Sequence, residues 1–155
     1  MQIIRLSEYI ENDTFLIDNI FEIYNMLKFI RKDYEHFFKW YWSIAIAKLF
    51  NNQMEFFVAI NEIEIAGILI AKKEDNESKI CTLYVKDNYQ CQGIGSALLK
   101  ESFDYLQTTK PIITFTDYKL PMFEKFIKKY DWSIDEKCYK EYTKKYEYKC
   151  NTNRH

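Results

Sequence analysis

Tyr89-Gln90-Cys91-Gln92-Gly93-Ile94-Gly95-Ser96-Ala97-Leu98-Leu99 holds two of only three glycines in a chain of 155 residues. On its N-terminal side, residues 79–85 read as a β-strand. On its C-terminal side, Leu98, Leu99, Phe103 and Leu106 recur at helical spacing, so 93–106 reads as an amphipathic helix. Glycines between a strand and a helix let a ligand approach the main chain and leave amide N–H groups free, while the helix N-terminus adds a fixed positive potential. Together these features make an anion site suited to phosphate. A Walker loop requires G-x-x-x-x-G-K-[ST], which the chain lacks. The dinucleotide fingerprint G-x-G-x-x-G fails at Leu98, and the glycines do not directly follow the strand. The pattern that fits is Q-x-x-G-x-G, from Gln90 through Gly93 to Gly95.

Working outward, residues 2–6 read as a short strand. Asp13 or Thr14 caps a helix reaching about residue 30, with Leu16, Ile20, Ile23, Tyr24, Leu27 and Ile30 on its apolar face. Arg31-Lys32-Asp33 is a polar break. A second helix over 34–50 carries Phe37, Phe38, Trp40, Tyr41, Trp42, Ile44 and Ile46 around much of its circumference, as a deeply buried or twice-partnered helix does. Residues 55–60 and 63–71 form a hairpin turned at Asn61-Glu62. Residues 74–78 are a charged loop. Residues 111–116 are β-prone, Pro121 opens a helix through 129, and 132–139 with 142–148 alternate as a final antiparallel pair. The order β-α-α-β-β-β-α-β-α-β-β predicts an α/β fold of three layers, α/β/α, around a mixed, mostly antiparallel sheet of about seven strands with four helices. No repeat or linker interrupts it, so one domain is expected over 1–150, with a frayed tail at 151–155.

Composition narrows the function classes. The formal net charge is −1, from 22 Lys+Arg against 23 Asp+Glu. Such a chain has no global field for nucleic acid or an anionic membrane. The N-terminus shows no secretory pattern, and the longest apolar stretch, 40–47, is far short of the ~20 residues that span a bilayer. The four cysteines, Cys81, Cys91, Cys138 and Cys150, form no C-x-x-C pair, and His36 and His155 lie far from them. Neither a metal site nor a disulfide framework is expected, and a cytoplasmic protein with reduced thiols is.

Taken with the strand before it and the elements after it, the segment from Leu83-Tyr84-Val85 to Leu99 resembles the acetyl-CoA signature of the GNAT superfamily of N-acetyltransferases, and the element order resembles that family over nearly the whole chain. The resemblance implies acetyl-CoA as co-substrate, with its pyrophosphate held by backbone amides of Cys91, Gln92, Gly93, Ile94, Gly95 and Ser96 next to Gln90. The pantetheine arm would pair with the backbone of Leu83 and Val85, flanked by Tyr84 and Phe126, in a gap between that strand and 111–116. Val85 N–H would point at the thioester oxygen. The implied reaction is direct attack by an amine in a ternary complex. A backbone donor stabilises the oxyanion, and positioning of two substrates supplies most of the rate. The acceptor is left open: a small amine, an amino acid, an antibiotic or a protein terminus.

The chain departs from the family pattern in places. With Asp131-Trp132 at the family's Gly-Phe position, the usual tyrosine falls at Ile127 and the usual asparagine at Leu120. Tyr118 and Tyr130 are the substitutes for the missing acid, and Asp117 is the candidate base. Gln92 replaces the Arg or Lys often found before the first glycine, with Lys100, Lys125 and Lys128 as compensating charges. Plainer roles stand beside these: Asp117 as a solvated turn residue, His36 on a helix surface, Cys91 as an incidental loop thiol, and Gly67 allowing close packing or a bulge. A catalytically degenerate CoA-binding module and a homodimer built on the aromatic second helix are the alternatives. Tyr84 faces either the acceptor cleft or the opposite side.

Overall fold

The centre of the sheet is apolar on both sides, and this dictates the layers. The computed structural model describes residues 1–141 and 143–152. In β2 (Met54–Asn61) and β3 (Glu64–Glu74), Phe56, Val58, Ile68 and Ile70 enter one buried cluster, while Phe57, Ala59, Leu69 and Ala71 enter the other. A strand with two apolar faces must be covered on both. The first face is covered by α1 (Asp13–Leu27) and by a continuous helical segment of α2 (Phe37–Lys39), a π-helical stretch Trp40–Ala45 and α3 (Ile46–Phe50). The second is covered by α4 (Ile94–Leu106) and α5 (Leu120–Lys129). The seven-stranded sheet runs β1-β2-β3-β4-β5-β7-β6, with β1 (Gln2–Arg5), β4 (Glu77–Val85), β5 (Ile112–Thr116), β6 (Ile134–Lys140) and β7 (Lys145–Cys150). Only β4 and β5 are parallel. The expected fold class is the one found.

Local differences have local causes. The first helix loosens at Leu27 into a 3-10 turn, Lys28–Lys32, and the second begins at Phe37 rather than at residue 34. The π stretch closes on Ile46 N–H to Tyr41 O, and Tyr41 is fully buried with its hydroxyl donating to Ile20 O at 2.5 Å. The expected loop at 74–78 contracts to a turn at Asp75-Asn76, with Asp75 at φ 48° and Lys72 ion-paired to Glu77 across it. The last pair is shifted: Trp132 is no strand residue but is buried beneath α5, its Nε1 donating to Thr109 O at 2.7 Å. Tyr142 lies outside the described residues. The expected frayed tail does not start at 151. Asn151 is buried and bridges Ser133 N and Pro111 O, and Thr152 donates to Asp135. Residues 153–155 lie outside the described residues. No helix among the described residues is long and apolar enough to cross a membrane.

Two β-bulges bend the centre. Ala66 is the extra residue between Ala59↔Gly67 and Ile60↔Ile65, and Cys81 is the extra residue between Ile70↔Thr82 and Ala71↔Ile80. Gly67 serves both sequence readings, since it flanks the first bulge and lets α4 close down. A Cβ there would stand 3.1 Å from Tyr84 O, 3.2 Å from Leu98 and 3.3 Å from Ile94. Gly67→Ala is therefore expected to lower unfolding free energy by about 1–3 kcal/mol, the usual cost of overpacking. Urea denaturation checks this, and an unchanged midpoint would refute the close-packing role.

Candidate active site

The site begins with a pairing that stops. β4 pairs with β3 along its length, but with β5 only through Lys79↔Ile112 and Ile80↔Ile113. The second pair lies next to the Cys81 bulge, and a bulge bends and twists its strand. Beyond it the two strands form no ladder, so the fourth of seven strands has an open edge from Cys81 to Val85. Its residues from Cys81 onward are only half-buried, where the middle of β3 is fully buried.

Which backbone groups face that opening follows from the β3–β4 ladder. Lys86 N–H donates to Ala66 O at 2.9 Å. Antiparallel partners alternate between bonded and non-bonded pairs, so Tyr84 points its N–H and C=O at β3 while Val85 and Leu83, opposite Gly67 and Leu69, point theirs into the opening. Side chains alternate too. Leu83 and Val85 pack with the α4/α5 cluster, and Tyr84 packs with the α1–α3 cluster, where its ring lies 5.0 Å from Phe29. The question of which side Tyr84 faces is thereby settled.

The loop after β4 is braced from three sides. Tyr89 donates its hydroxyl to Glu64 at 2.9 Å and accepts from Asn61 at 3.2 Å, and Lys86 pairs with the same Glu64 at 3.3 Å. Both partners hold the Glu64 carboxyl below its ordinary range, the tyrosine hydrogen bond most. Gln90 turns its side-chain amide back to donate to Val85 O at 3.1 Å. The chain then passes through two left-handed residues, Cys91 at φ 61° and Gly93 at φ 80°, and starts α4 without a side-chain cap. The first helical hydrogen bond is Ala97 N–H to Gly93 O. The backbone N–H groups of Cys91, Gln92, Gly93, Ile94, Gly95 and Ser96 find no acceptor among the described residues. Left-handed turns with converging amides at a helix N-terminus form an anion-binding concavity.

Gly93 needs its glycine for φ, whereas Gly95 does not. A Cβ on Gly95 would make only ordinary contacts, 3.8 Å to Val85 and 3.9 Å to Phe126. The protein leaves room for a methyl group at 95, and the space it would fill lies between the open edge of β4, the loop and α5.

The far wall of the opening is the end of β5. Ile80 pairs with Ile113, so the end of β4 at Val85 and the turn that follows β5 both lie beyond that rung, on opposite sides of the opening. Tyr118 stands on the 3-10 turn Asp117–Lys119 and donates its hydroxyl to Asp33, which follows the turn after α1. The Asp33 side chain is 2% exposed, its Oδ1 lies 3.6 Å from Lys145 Nζ, and that oxygen has no hydrogen bond. Burial, then the hydrogen bond to Asp33 and its charge, push the Tyr118 hydroxyl well above the tyrosine range. Beside it Tyr34 donates to the buried Glu147 at 3.1 Å, and burial first, then the Glu147 charge, raises Tyr34 as well.

Comparison with known proteins now bears on this arrangement. The chain matches the Acetyltransferase (GNAT) family over residues 17–120. It belongs to the GNAT acetyltransferase family. The family transfers acetyl groups, with acetyl-CoA as co-substrate. A candidate streptothricin acetyltransferase from Bacillus anthracis str. Ames, solved in complex with acetyl coenzyme A, superposes with a TM-score of 0.59 at 14% identity, over 70% of this chain and 67% of that one. The ribosomal-protein-S18-alanine N-acetyltransferase from Escherichia coli gives 0.55 at 14%, over 63% and 67%. A chimera of the Vibrio cholerae spermidine N-acetyltransferase SpeG with hSSAT gives 0.51 at 11%, over 68% and 70%. No curated protein sequence matches the chain.

In this GNAT chain the residues singled out from sequence fall into two groups. Leu83, Val85 and the six loop residues lie together, with Phe126 beside Gly95, and Asp117 and Tyr118 stand on the turn after β5, on the other side of the opening. Tyr130 does not join them. It follows the far end of α5, with its ring 4.9 Å from Phe103 and stacked toward Trp132. Ile127, at the expected tyrosine position, is an aliphatic residue packed in the α4/α5 cluster. Lys100, Lys125 and Lys128 are exposed, with Lys125 Nζ 4.9 Å from the Phe126 ring. The gathering of Asp33, Lys32 and Lys145 around Tyr118, with Phe29 and Glu147 near by, carried no signal in the sequence, because nothing there ties the break after the first helix to the end of β5. A shallow hollow of about 520 Å³ at the opposite end of β4, by Lys72, Glu74 and Glu77, is laced by its own ion pairs and takes no part.

Gly93→Ala is expected to cost about 1–2 kcal/mol, the left-handed penalty for an L-residue, while Gly95→Ala leaves stability unchanged or raised by up to ~1 kcal/mol. Thermal and urea unfolding of the two variants give the comparison, and equal losses would contradict the loop geometry. Tyr118→Phe removes a hydrogen bond to a charged group and should lower stability by about 1.5–3 kcal/mol. An unaltered urea midpoint would mean that the contact with Asp33 is idle.

Proposed function

We propose that this chain is an acetyl-CoA-dependent N-acetyltransferase that passes the acetyl group to an amine by direct attack in a ternary complex. The observation that carries the reading is the alignment of six unpaired amides, Cys91 to Ser96, with the open edge of β4. A diphosphate answers the first: each helix-end amide favours an anion by only about 0.3–1 kcal/mol, so several must act together, as the unpaired run at 91–96 allows. An amide-bearing arm answers the second. Leu83 presents both a donor and an acceptor there, and Val85 presents its donor, its carbonyl being taken by Gln90. The fit is one of chemistry and space, because Gly95 leaves open the volume between Val85 and Phe126.

Acetyl-CoA supplies an activated thioester when bound; the protein supplies position and hydrogen bonds. Val85 N–H offers a fixed donor where negative charge develops, and a preorganised donor acts without reorganisation during the step. Tyr118, across the opening, stays protonated at neutral pH and presents its oxygen rather than its proton, which is given to Asp33. It therefore suits accepting an N–H of the incoming amine, and donates to a leaving thiolate only on turning away from Asp33. Asp117 on the same turn is the candidate base.

One feature favours a second reading, a CoA-binding module without catalysis: Ile127 is aliphatic and the Tyr118 proton is engaged, so no acid stands ready. The solved neighbours carry acceptors in their names as different as streptothricin, a ribosomal-protein alanine and spermidine, so the fold leaves the acceptor open.

Free-thiol release from acetyl-CoA over a panel of amines separates the two readings, with turnover of at least one amine expected. CoA binding without turnover of any amine would favour the module. Calorimetry with CoA is expected to show binding to the wild type and a loss of at least tenfold in Gly95→Trp with the fold retained, since about 1.4 kcal/mol of lost contact suffices for that factor. Unchanged affinity would remove the loop from the site.

A further inference from the structure

Three ammonium groups converge on one ring at the open end of β5. Lys145 Nζ stands 4.7 Å from the centre of the Tyr118 ring, and Lys32 and Lys119 each 5.7 Å from it. Their charge is not matched by the carboxylates present. Asp33 takes the Tyr118 hydroxyl and faces Lys145. Glu147 takes the Tyr34 hydroxyl and faces Lys140 at 3.7 Å. Each buried carboxylate thus already has an ammonium, while neither Lys32 nor Lys119 has a carboxylate within 4.0 Å among the described residues. Lys119 is half-buried, and taking an ammonium partly out of water without a counter-ion is unfavourable. Burial pushes its pKa down, the charges of Lys32 and Lys145 add to this, and Asp33 opposes it.

The position of this surplus matters. Lys119 belongs to the turn that follows β5 across the opening from the end of β4, and Lys32 reaches it from the α1 layer, the side opposite α4 and α5. The phosphate-suited amides lie at the start of α4. Resting on the acetyltransferase reading, we propose that Lys32 and Lys119 are an oxyanion clamp for the acceptor, so that the amine this chain acetylates carries a carboxylate or a phosphate. The clamp holds the acid group on the α1 side of Tyr118 while the amine nitrogen faces the Tyr118 oxygen and the end of β4. Polyamines and other acceptors bearing only further cations are repelled by the same charges.

Calorimetry on acetylated products tests this without needing turnover. N-acetylglycine against N-acetylglycinamide, and N-acetyl-O-phosphoethanolamine against N-acetylethanolamine, are titrated into the CoA-loaded chain, its Lys32→Met and Lys119→Met variants, and Lys119→Arg. Charge-assisted contacts are about twice as strong as neutral ones, and truncating a paired charge is costly. At least one acid is therefore expected to bind about tenfold tighter than its neutral partner. Each methionine variant should reduce that preference about threefold or more, with arginine keeping it. Which pair discriminates tells carboxylate from phosphate. Equal binding of acid and neutral probes, no binding of any probe at 10 mM, or an unaltered preference in the variants overturns the clamp. So does a variant that loses CoA affinity instead, since the lysines would then serve the cofactor's phosphates. If the wild type itself gives no heat with CoA, the acetyltransferase reading has failed, and the clamp is scored on the same pairs with the free chain.

Discussion

Antiparallel bonding to β3 holds β4 along its whole length, while parallel bonding to β5 ends after Ile80↔Ile113, one residue before the Cys81 bulge. The extra residue rotates and bends β4 away from its neighbour, and the ladder cannot resume. Everything proposed about the site depends on this broken pairing. It leaves main-chain donors and acceptors unpaired in the middle of a sheet, where an edge is normally satisfied or covered. The two apolar layers keep the strands from closing up again. Leu83 and Val85 are anchored in the α4/α5 cluster, and Tyr84 is anchored against Phe29 on the other face.

The loop at 86–96 borders the opening and completes the candidate site. Its ties to Asn61 and Glu64 fix it to the β2–β3 hairpin, and Gln90 fixes it to Val85. With those anchors in place, left-handed Cys91 and Gly93 aim successive amides outward at the start of α4. The proposed anion cradle is built from backbone, which is why the two glycines matter more to it than any charged side chain in the loop. Gly67, on β3, performs the matching task from inside by letting α4 approach Tyr84 and Val85 closely.

The fold was legible because its signals are local. The β-prone apolar runs at 55–60 and 63–71, the spacing of Leu98, Leu99, Phe103 and Leu106, and Gly93 and Gly95 between strand and helix can each be read within one short stretch of chain. The proposed cofactor side was legible for the same reason, being one contiguous stretch of chain. The surroundings of Tyr118 were not. Asp33 and Tyr118 are 85 residues apart and meet only because the turn after α1 lies over the end of β5. In sequence, Arg31-Lys32-Asp33 looks like an ordinary solvated break. Tyr130 looked as suitable as Tyr118 until the direction of α5 carried it to the other end of the sheet. The burial of Asn151 was hidden on similar grounds, since it rests on contacts with residues 133 and 111.

The central claim is that the main chain of residues 91–96, with Leu83 and Val85, receives coenzyme A. Amide hydrogen exchange with and without saturating CoA tests it residue by residue. The account predicts slowed exchange concentrated at those amides, with Tyr84 and Lys86, already bonded to β3, little changed. Protection that appears elsewhere, with residues 83, 85 and 91–96 exchanging as fast as in the free chain, would contradict it.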